Sequence, residues 1–350
     1  MCCGIENMQE YNIIIFLVFS QICLYYFFRK RFIREIIKLK LVDKPAKNKI
    51  HNSNIPLTGG IILFFSLLTY ILVGFVLMKY INPNFKIIND EIIIFFIGFS
   101  FAFFIGFVDD MLNFKIEKKI VSLIIFNILL FQQIAFFKTT VLIIDNSFLS
   151  LQINTFSISL ILSIFFFLAY HHALAILDGI NGIFGSYAII FLFILLMFFK
   201  MNIFLSNFIF YTLLILIFLT ILNFKNELFF GNSGSLLVSA LIPYLILYFY
   251  NQRENSIDIF GYLSLVIIPI LDMIRLFFIR LFKKQSPFNK DLNHFHHLLL
   301  KKYSIHSCVL IYLCLCFVPF ILNRFLAVNF VILVICQILA FFYTCNRIKA

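Results

Sequence analysis

Apolar runs of about 20 residues, the length that crosses a bilayer as an α-helix, alternate along this chain with short polar segments. Eleven such runs stand out, at roughly 11–28, 59–79, 91–108, 120–137, 157–174, 183–199, 203–223, 234–250, 260–280, 307–323 and 326–343. No hydrophilic stretch between them is long enough for a separate soluble domain. The pattern therefore predicts an all-α polytopic membrane protein, one integral domain over 1–350 with about eleven transmembrane helices. The first run is followed by Arg29, Lys30 and Arg31 rather than by a small-residue cleavage site, so it reads as a retained span.

Placing successive loops on alternate sides sorts the basic residues. One side receives 22 of the 28 Lys and Arg and the other receives 6. The positive-inside rule puts the richer side in the cytoplasm, with the N-terminus outside and the C-terminus inside. Composition agrees: 63% of residues are hydrophobic and 13% charged, against about 25% charged in soluble domains. The net charge of +12 lies mostly in those inner loops, so it speaks for orientation and not for nucleic acid. The eight cysteines form no CxxC or zinc-finger spacing and read as small apolar residues. No role is assigned to the adjacent Cys2 and Cys3.

Five segments are too polar for their surroundings, and all five fall on the cytoplasmic side. Charged groups at membrane depth are costly, so they commonly face a cavity and mark function. Segment 43–60 combines Lys44, Lys47, Lys49 and His51 with Pro56 and Gly59-Gly60 at the start of the second run. Asp109-Asp110 closes the third run, with Asn113 and Lys115 behind it. Two adjacent carboxylates suit a magnesium ion or a proton-accepting role; solvated loop acids are the plain alternative. In 171–186, Asp178 stands among Gly179, Gly182 and Gly185, with Asn181 between them. Segment 230–236 offers Gly231, Ser233, Gly234 and Ser235 at a helix start, a natural phosphate site. In 286–300, His294, His296 and His297 cluster in a basic loop, suiting phosphate, proton transfer or a metal. Asp272 and Arg275 are spaced to pair on one helix face. Together these parts suit a metal-dependent reaction on phosphates, with a lipid phosphate as one substrate.

In order and spacing the motifs resemble the polyprenyl-phosphate N-acetylhexosamine-1-phosphate transferase family, also called glycosyltransferase family 4. They run Pro45…His51…Pro56…Gly59-Gly60, Asp109-Asp110-x-x-Asn113, Asp178-Gly179-x-Asn181-Gly182, Gly231-x-x-Gly234-Ser235, Asp272-x-x-Arg275 and His294-x-His296-His297. The histidine loop looks more like the WecA/TagO branch than the related MraY branch. The resemblance implies transfer of a sugar 1-phosphate from a UDP-sugar to undecaprenyl or another polyprenyl phosphate, with release of UMP. This would begin a lipid-linked envelope glycan at the bacterial inner membrane, the active site facing the cytoplasm. It implies magnesium, or manganese, held by Asp110, Asp178 and Asn232. Asp109, Asp110 and Asp178 would be catalytic, Asp109 being the candidate base. Lys49, His51, Asn113, Asn181, Gly234, Ser235, Arg275, His294, His296 and His297 would bind substrate. A homodimer is compatible with it.

Three positions depart from the family. Asn232 stands where an Asp is usual, and His172 and Ala175 replace two Asn ahead of Asp178. All three fall on the nucleotide–metal side. They motivate an alternative reading, an impaired paralogue that binds polyprenyl phosphate or a partner. A transporter is a further alternative, but the two repeated halves common in transporters are not visible in the sequence.

Overall fold

The computed structural model describes residues 2–45, 53–74, 76, 80, 90–112, 114, 116–133, 142–146, 149–153, 156–252, 257–286 and 292–349. The predicted site residues Lys49, His51 and Asn113 lie outside the described residues. Among the described residues twelve helices follow one another: α1 (Cys2–Lys38), α2 (Gly59–Thr69, continued by a π-helical turn over Tyr70–Gly74), α3 (Asp90–Leu112), α4 (Ile116–Gln133), α5 (Phe156–Leu177), α6 (Ile183–Phe198), α7 (Ile203–Phe224), α8 (Gly231–Gln252), α9 (Ile259–Phe282), α10 (Phe295–Leu300), α11 (Ile305–Leu326) and α12 (Phe330–Lys349). Each of the eleven apolar runs has described residues on one of these helices, and α10 carries the histidine loop.

A helix satisfies its backbone groups internally, which hydrocarbon demands. Five of the described helical stretches are long and apolar enough to cross a membrane: Glu10–Lys38 of α1, α7, Gly231–Tyr250 of α8, α11 and Phe330–Ile348 of α12. Their outward faces carry large apolar side chains, among them Phe16, Phe27, Ile221 and Leu339. In a soluble protein such faces would aggregate; against lipid they are the favourable surface. The fold is that of an all-α membrane protein. Two short antiparallel pairs add to the helices: β1 (Val42–Asp43) with β2 (Ile55–Pro56), and β3 (Leu142–Asn146) with β4 (Leu149–Ile153).

Helix α8 is the centre of the bundle, and the apolar face it buries includes Leu237, Leu241, Leu245 and Phe249. Small residues let two other helices reach its first turn. A Cβ on Gly60 of α2 would overlap Gly234 N, and one on Gly106 of α3 would overlap the Asn232 carbonyl. The segment before α8 is clamped to the segment before α2: Phe229 N–H donates to Pro56 O (3.0 Å), Gly59 N–H to Phe229 O (2.9 Å) and Gly60 N–H to Phe230 O (3.0 Å). Three stretches far apart in sequence, 55–60, 106–112 and 228–235, therefore share one point.

Candidate active site

That point is the first turn of α8. A helix start carries amide hydrogens with no partner in the helix and a partial positive charge, so it attracts anions. Here the anions are the protein's own. Asp178 Oδ2 accepts from Gly231 N–H (2.9 Å), Asp110 Oδ1 from Asn232 N–H (2.8 Å) and Asp110 Oδ2 from Ser233 N–H (2.9 Å). Gly231 sits at φ +69°, and a Cβ there would lie 2.8 Å from Asp110 Oδ2. Glycine is needed on both counts.

Both carboxyls lie beyond the apolar runs. Burial pushes that of Asp110 up, and the two α8 amides oppose this only in part. Burial likewise pushes Asp178 well above the usual carboxylate range; the Gly231 amide opposes it, and the charges of Asp110 and Asp43 add to it. Asp178 is half-buried as a residue, with its carboxyl turned inward.

Asp109 has a different environment. Its Oδ2 lies 2.9 Å from Lys119 Nζ, and its Oδ1 accepts from Phe114 N–H at 2.9 Å. Lys119 is buried and also donates to Asn232 Oδ1 at 2.8 Å. One ammonium thus joins the end of α3 to the start of α8. Both carboxylate oxygens are therefore engaged, and Asp109 is placed to hold Lys119.

The histidine loop reaches the same place. A Cβ on Gly179 would lie 3.2 Å from His297 Nε2, so His297 rests against the residue after Asp178. The loop is anchored from α9. Asp272 Oδ1 accepts from Arg275 Nη2 (2.7 Å) and Phe295 N–H (3.0 Å), and Asp272 Oδ2 bonds His294 Nδ1 (3.0 Å). Arg275 Nη2 also donates to Asn293 O at 2.7 Å. His294 and His296 stack with ring centroids 5.8 Å apart, and His296 and His297 are 4.4 Å apart. His296 is fully buried with neither ring nitrogen hydrogen-bonded, and Arg275 Nε and Nη1 are buried in the same condition. Unpaired buried donors are expensive unless a ligand meets them. Burial, then the neighbouring His297, keep the His296 imidazole neutral by pushing its pKa well below the usual range.

Other predicted residues serve the frame. Gly234 N–H bonds Phe230 O at 3.2 Å within the helix start, and Gly234 packs against Gly60. Ser235 Oγ donates to Asn232 O at 3.3 Å. The α8 amides expected to cradle phosphate are already spent on Asp110 and Asp178, so Gly234 and Ser235 build the turn instead of offering donors. Asn181 Nδ2 donates to Asn226 Oδ1 at 2.5 Å, and Gly182 N–H to Asn223 Oδ1 at 2.6 Å, tying the α5–α6 turn to the end of α7. Of the two departures ahead of Asp178, His172 is half-buried near enough to Lys119 to feel its charge, with Nε2 unbonded, and Ala175 offers no polar atom.

Among the described residues no three His, Cys, Asp or Glu side chains group as a metal cage. Magnesium needs less, commonly one or two carboxylates plus substrate phosphates and water. Asp110 and Asp178 fit that requirement: each keeps oxygen lone pairs, and neither has a side-chain cation among the bonds described above. Asn232 does not fit, because its side-chain oxygen faces Lys119.

The comparisons with known proteins bear on the same stretch. The family model described as "Glycosyl transferase family 4" matches residues 92–250, from α3 through α8. Three curated proteins named undecaprenyl-phosphate alpha-N-acetylglucosaminyl 1-phosphate transferase are similar to the chain. That of Yersinia pestis is 24% identical over 272 residues, 76% of this chain and 71% of that protein. That of Escherichia coli K12 is 25% identical over 294 residues, 81% and 75% respectively. That of Thermotoga maritima is 25% identical over 268 residues, 76% and 75%. The matched stretch holds Asp109, Asp110, Asp178 and the α8 turn that gathers them, so the chain is similar to glycosyl transferase family 4 over the part that builds the candidate site.

Proposed function

We propose that the protein transfers a sugar 1-phosphate, an N-acetylhexosamine 1-phosphate carried by UDP, to a polyprenyl phosphate and releases UMP. One observation carries the reading. Two buried carboxylates, Asp110 and Asp178, share the first three amides of α8, while a histidine–arginine cluster with unpaired donors closes on Gly179 from the other side. Such a site has a cation-binding half and a phosphate-binding half.

In the transfer, an oxygen of the lipid phosphate attacks the sugar-bearing phosphorus. A new P–O bond forms, the P–O bond to UMP breaks, and UMP departs with that electron pair. The protein's part is positioning and charge placement, as in phosphoryl transfer generally. Arg275 Nε and Nη1 and the single N–H of the neutral His296 ring are the donors left for phosphate oxygens. Asp272 holds both Arg275 and His294 so that the loop meets the substrate already oriented. Asp109, itself held by the Phe114 N–H, fixes Lys119 at the rim of the carboxylate pair. A magnesium or manganese ion held by Asp110 and Asp178 would supply neutralisation of pyrophosphate charge.

The same proposal includes the topology: eleven spans, the N-terminus outside, and this site opening on the cytoplasmic face of a bacterial inner membrane. The division of Lys and Arg between alternate loops supports it. A second reading, binding of lipid phosphate without turnover, is favoured by the Lys119–Asn232 bond, which removes one oxygen from any cation. The deciding experiment supplies purified protein in lipid nanodiscs with UDP-N-acetylglucosamine or a related donor, undecaprenyl phosphate and magnesium. UMP release is expected. Retained lipid-phosphate binding with no release from any UDP-hexosamine would select the second reading.

A further inference from the structure

Helix α9 carries Pro269 in its interior and α11 carries Pro319. Proline lacks an amide hydrogen, so the carbonyl four residues earlier loses its helix partner, and the ring pushes that carbonyl aside and bends the helix. Hydrocarbon offers no water in compensation, so another protein group has to supply the donor. The carbonyls concerned belong to Leu265 and Leu315. Each receives a side chain from another helix. The Tyr187 hydroxyl of α6 donates to Leu265 O at 2.7 Å, and Gln337 Nε2 of α12 donates to Leu315 O at 2.7 Å. Tyr187 accepts in turn from the Tyr170 hydroxyl of α5 at 2.8 Å, and both tyrosines are fully buried. Gln337 Nε2 also lies 2.9 Å from Ser264 O, so the two donors meet on one turn of α9.

That turn immediately precedes the part of α9 that holds the histidine loop. Asp272 is three residues beyond Pro269 and Arg275 six, and between them they bond Asn293, His294 and Phe295. A change in the direction α9 takes after Pro269 would carry all of these contacts with it. We propose that Tyr187 is a positioning residue: by bonding the Leu265 carbonyl that Pro269 leaves open, it fixes the exit direction of α9 and so the placement of Asp272, Arg275 and the 293–297 loop. The proposal rests on reading that loop as part of the active site.

Tyr187→Phe removes only the hydroxyl and keeps the ring against Phe317, whose centroid is 5.1 Å away. Hydrogen–deuterium exchange of the full chain in nanodiscs, without substrate, reads the loop directly. Exchange across 293–299 is expected to rise about tenfold, the scale of one lost buried hydrogen bond, while α7 stays unchanged. No rise in 293–299, or an equal rise in α7, would overturn the proposal. Pro269→Ala is the second variant. It returns an amide donor to Leu265 O and takes away the ring that pushes on that carbonyl, so it should loosen 293–299 even though it removes a helix breaker. If Tyr187 served stability alone, this variant would leave the loop unmoved. Where the native protein releases UMP, Tyr187→Phe should also lower kcat/KM by a similar factor, and unchanged kcat/KM beside raised exchange would count against positioning. Because exchange is measured without substrate, an inactive native protein would sink the proposed function and leave the exchange result standing.

Discussion

Lys119→Met is the most exacting perturbation of the site. The ammonium lies 2.9 Å from Asp109 Oδ2 and 2.8 Å from Asn232 Oδ1, and the paired side chains of Lys119 and Asp109 are only 10% and 7% exposed. Methionine keeps most of the volume and removes the charge. Breaking a buried pair from one side costs about 3–5 kcal/mol, because the surviving charge stays buried without a partner. Asp109 would keep its bond from Phe114 N–H, which argues for the lower end, about 3 kcal/mol. At about 1.4 kcal/mol per decade, that is roughly a hundredfold shift in the unfolding equilibrium. Adding Asp109→Asn removes the stranded charge and leaves an oxygen for Phe114 N–H, so the double variant should recover about 2 kcal/mol of the loss. Reversible unfolding in mixed micelles, followed by helix content as denaturing detergent is raised, measures the native protein, the two single variants and the double variant. Strictly additive losses from the two single variants would refute the pairing, and with it the role given to Asp109.

Asp110→Asn and Asp178→Asn should each abolish UMP release while the protein still folds; full turnover in either would remove that carboxylate from the site. Gly231→Ala combines a left-handed backbone, costing about 1–2 kcal/mol for a residue with a Cβ, with a methyl group 2.8 Å from Asp110 Oδ2. It should destabilise the fold by at least that amount in the same micelle assay, and a neutral effect would contradict the geometry. Asn232→Asp places a new carboxylate beside Asp110, so magnesium should raise the melting temperature of this variant more than that of the native protein. Equal rises would show that Asn232 was never the oxygen missing from the cation site.

Much of the fold was legible because lipid makes each span decide its own structure. With no water at hand, an apolar run of sufficient length must bond its own backbone groups, and every run has described residues in a helix. Features set by contacts between distant segments were not legible. The β3–β4 hairpin sits in a stretch with no strong period, and the π-helical turn at Tyr70–Gly74 has no local sequence mark. Nothing before the fold showed that 55–60 lies along 228–230, since that clamp is made of backbone hydrogen bonds available to almost any residues.

The site shows the same division at the level of single side chains. Residue type singled out Asp110, Asp178, Arg275 and the three histidines, and the fold brings the two acids to the α8 turn and ties the histidine loop to Asp272 and Arg275. Residue type alone does not tell which of two similar neighbours faces inward. Lys118 and Lys119 are adjacent at the start of α4, and both counted as inner-loop charge. Lys118 is exposed and Lys119 is buried on the same helical face as Leu123 and Asn127. That spacing of four is visible in the sequence and was the available clue. The Gly-Asn-Ser-Gly turn shows a related limit. A helix start does attract an anion, but the amides cannot say whether the anion is a ligand or the chain's own carboxylate. On the proposed function, Asp110 and Asp178 in that position would offer a place for a cation, and Arg275 and His296 would be left to meet phosphate.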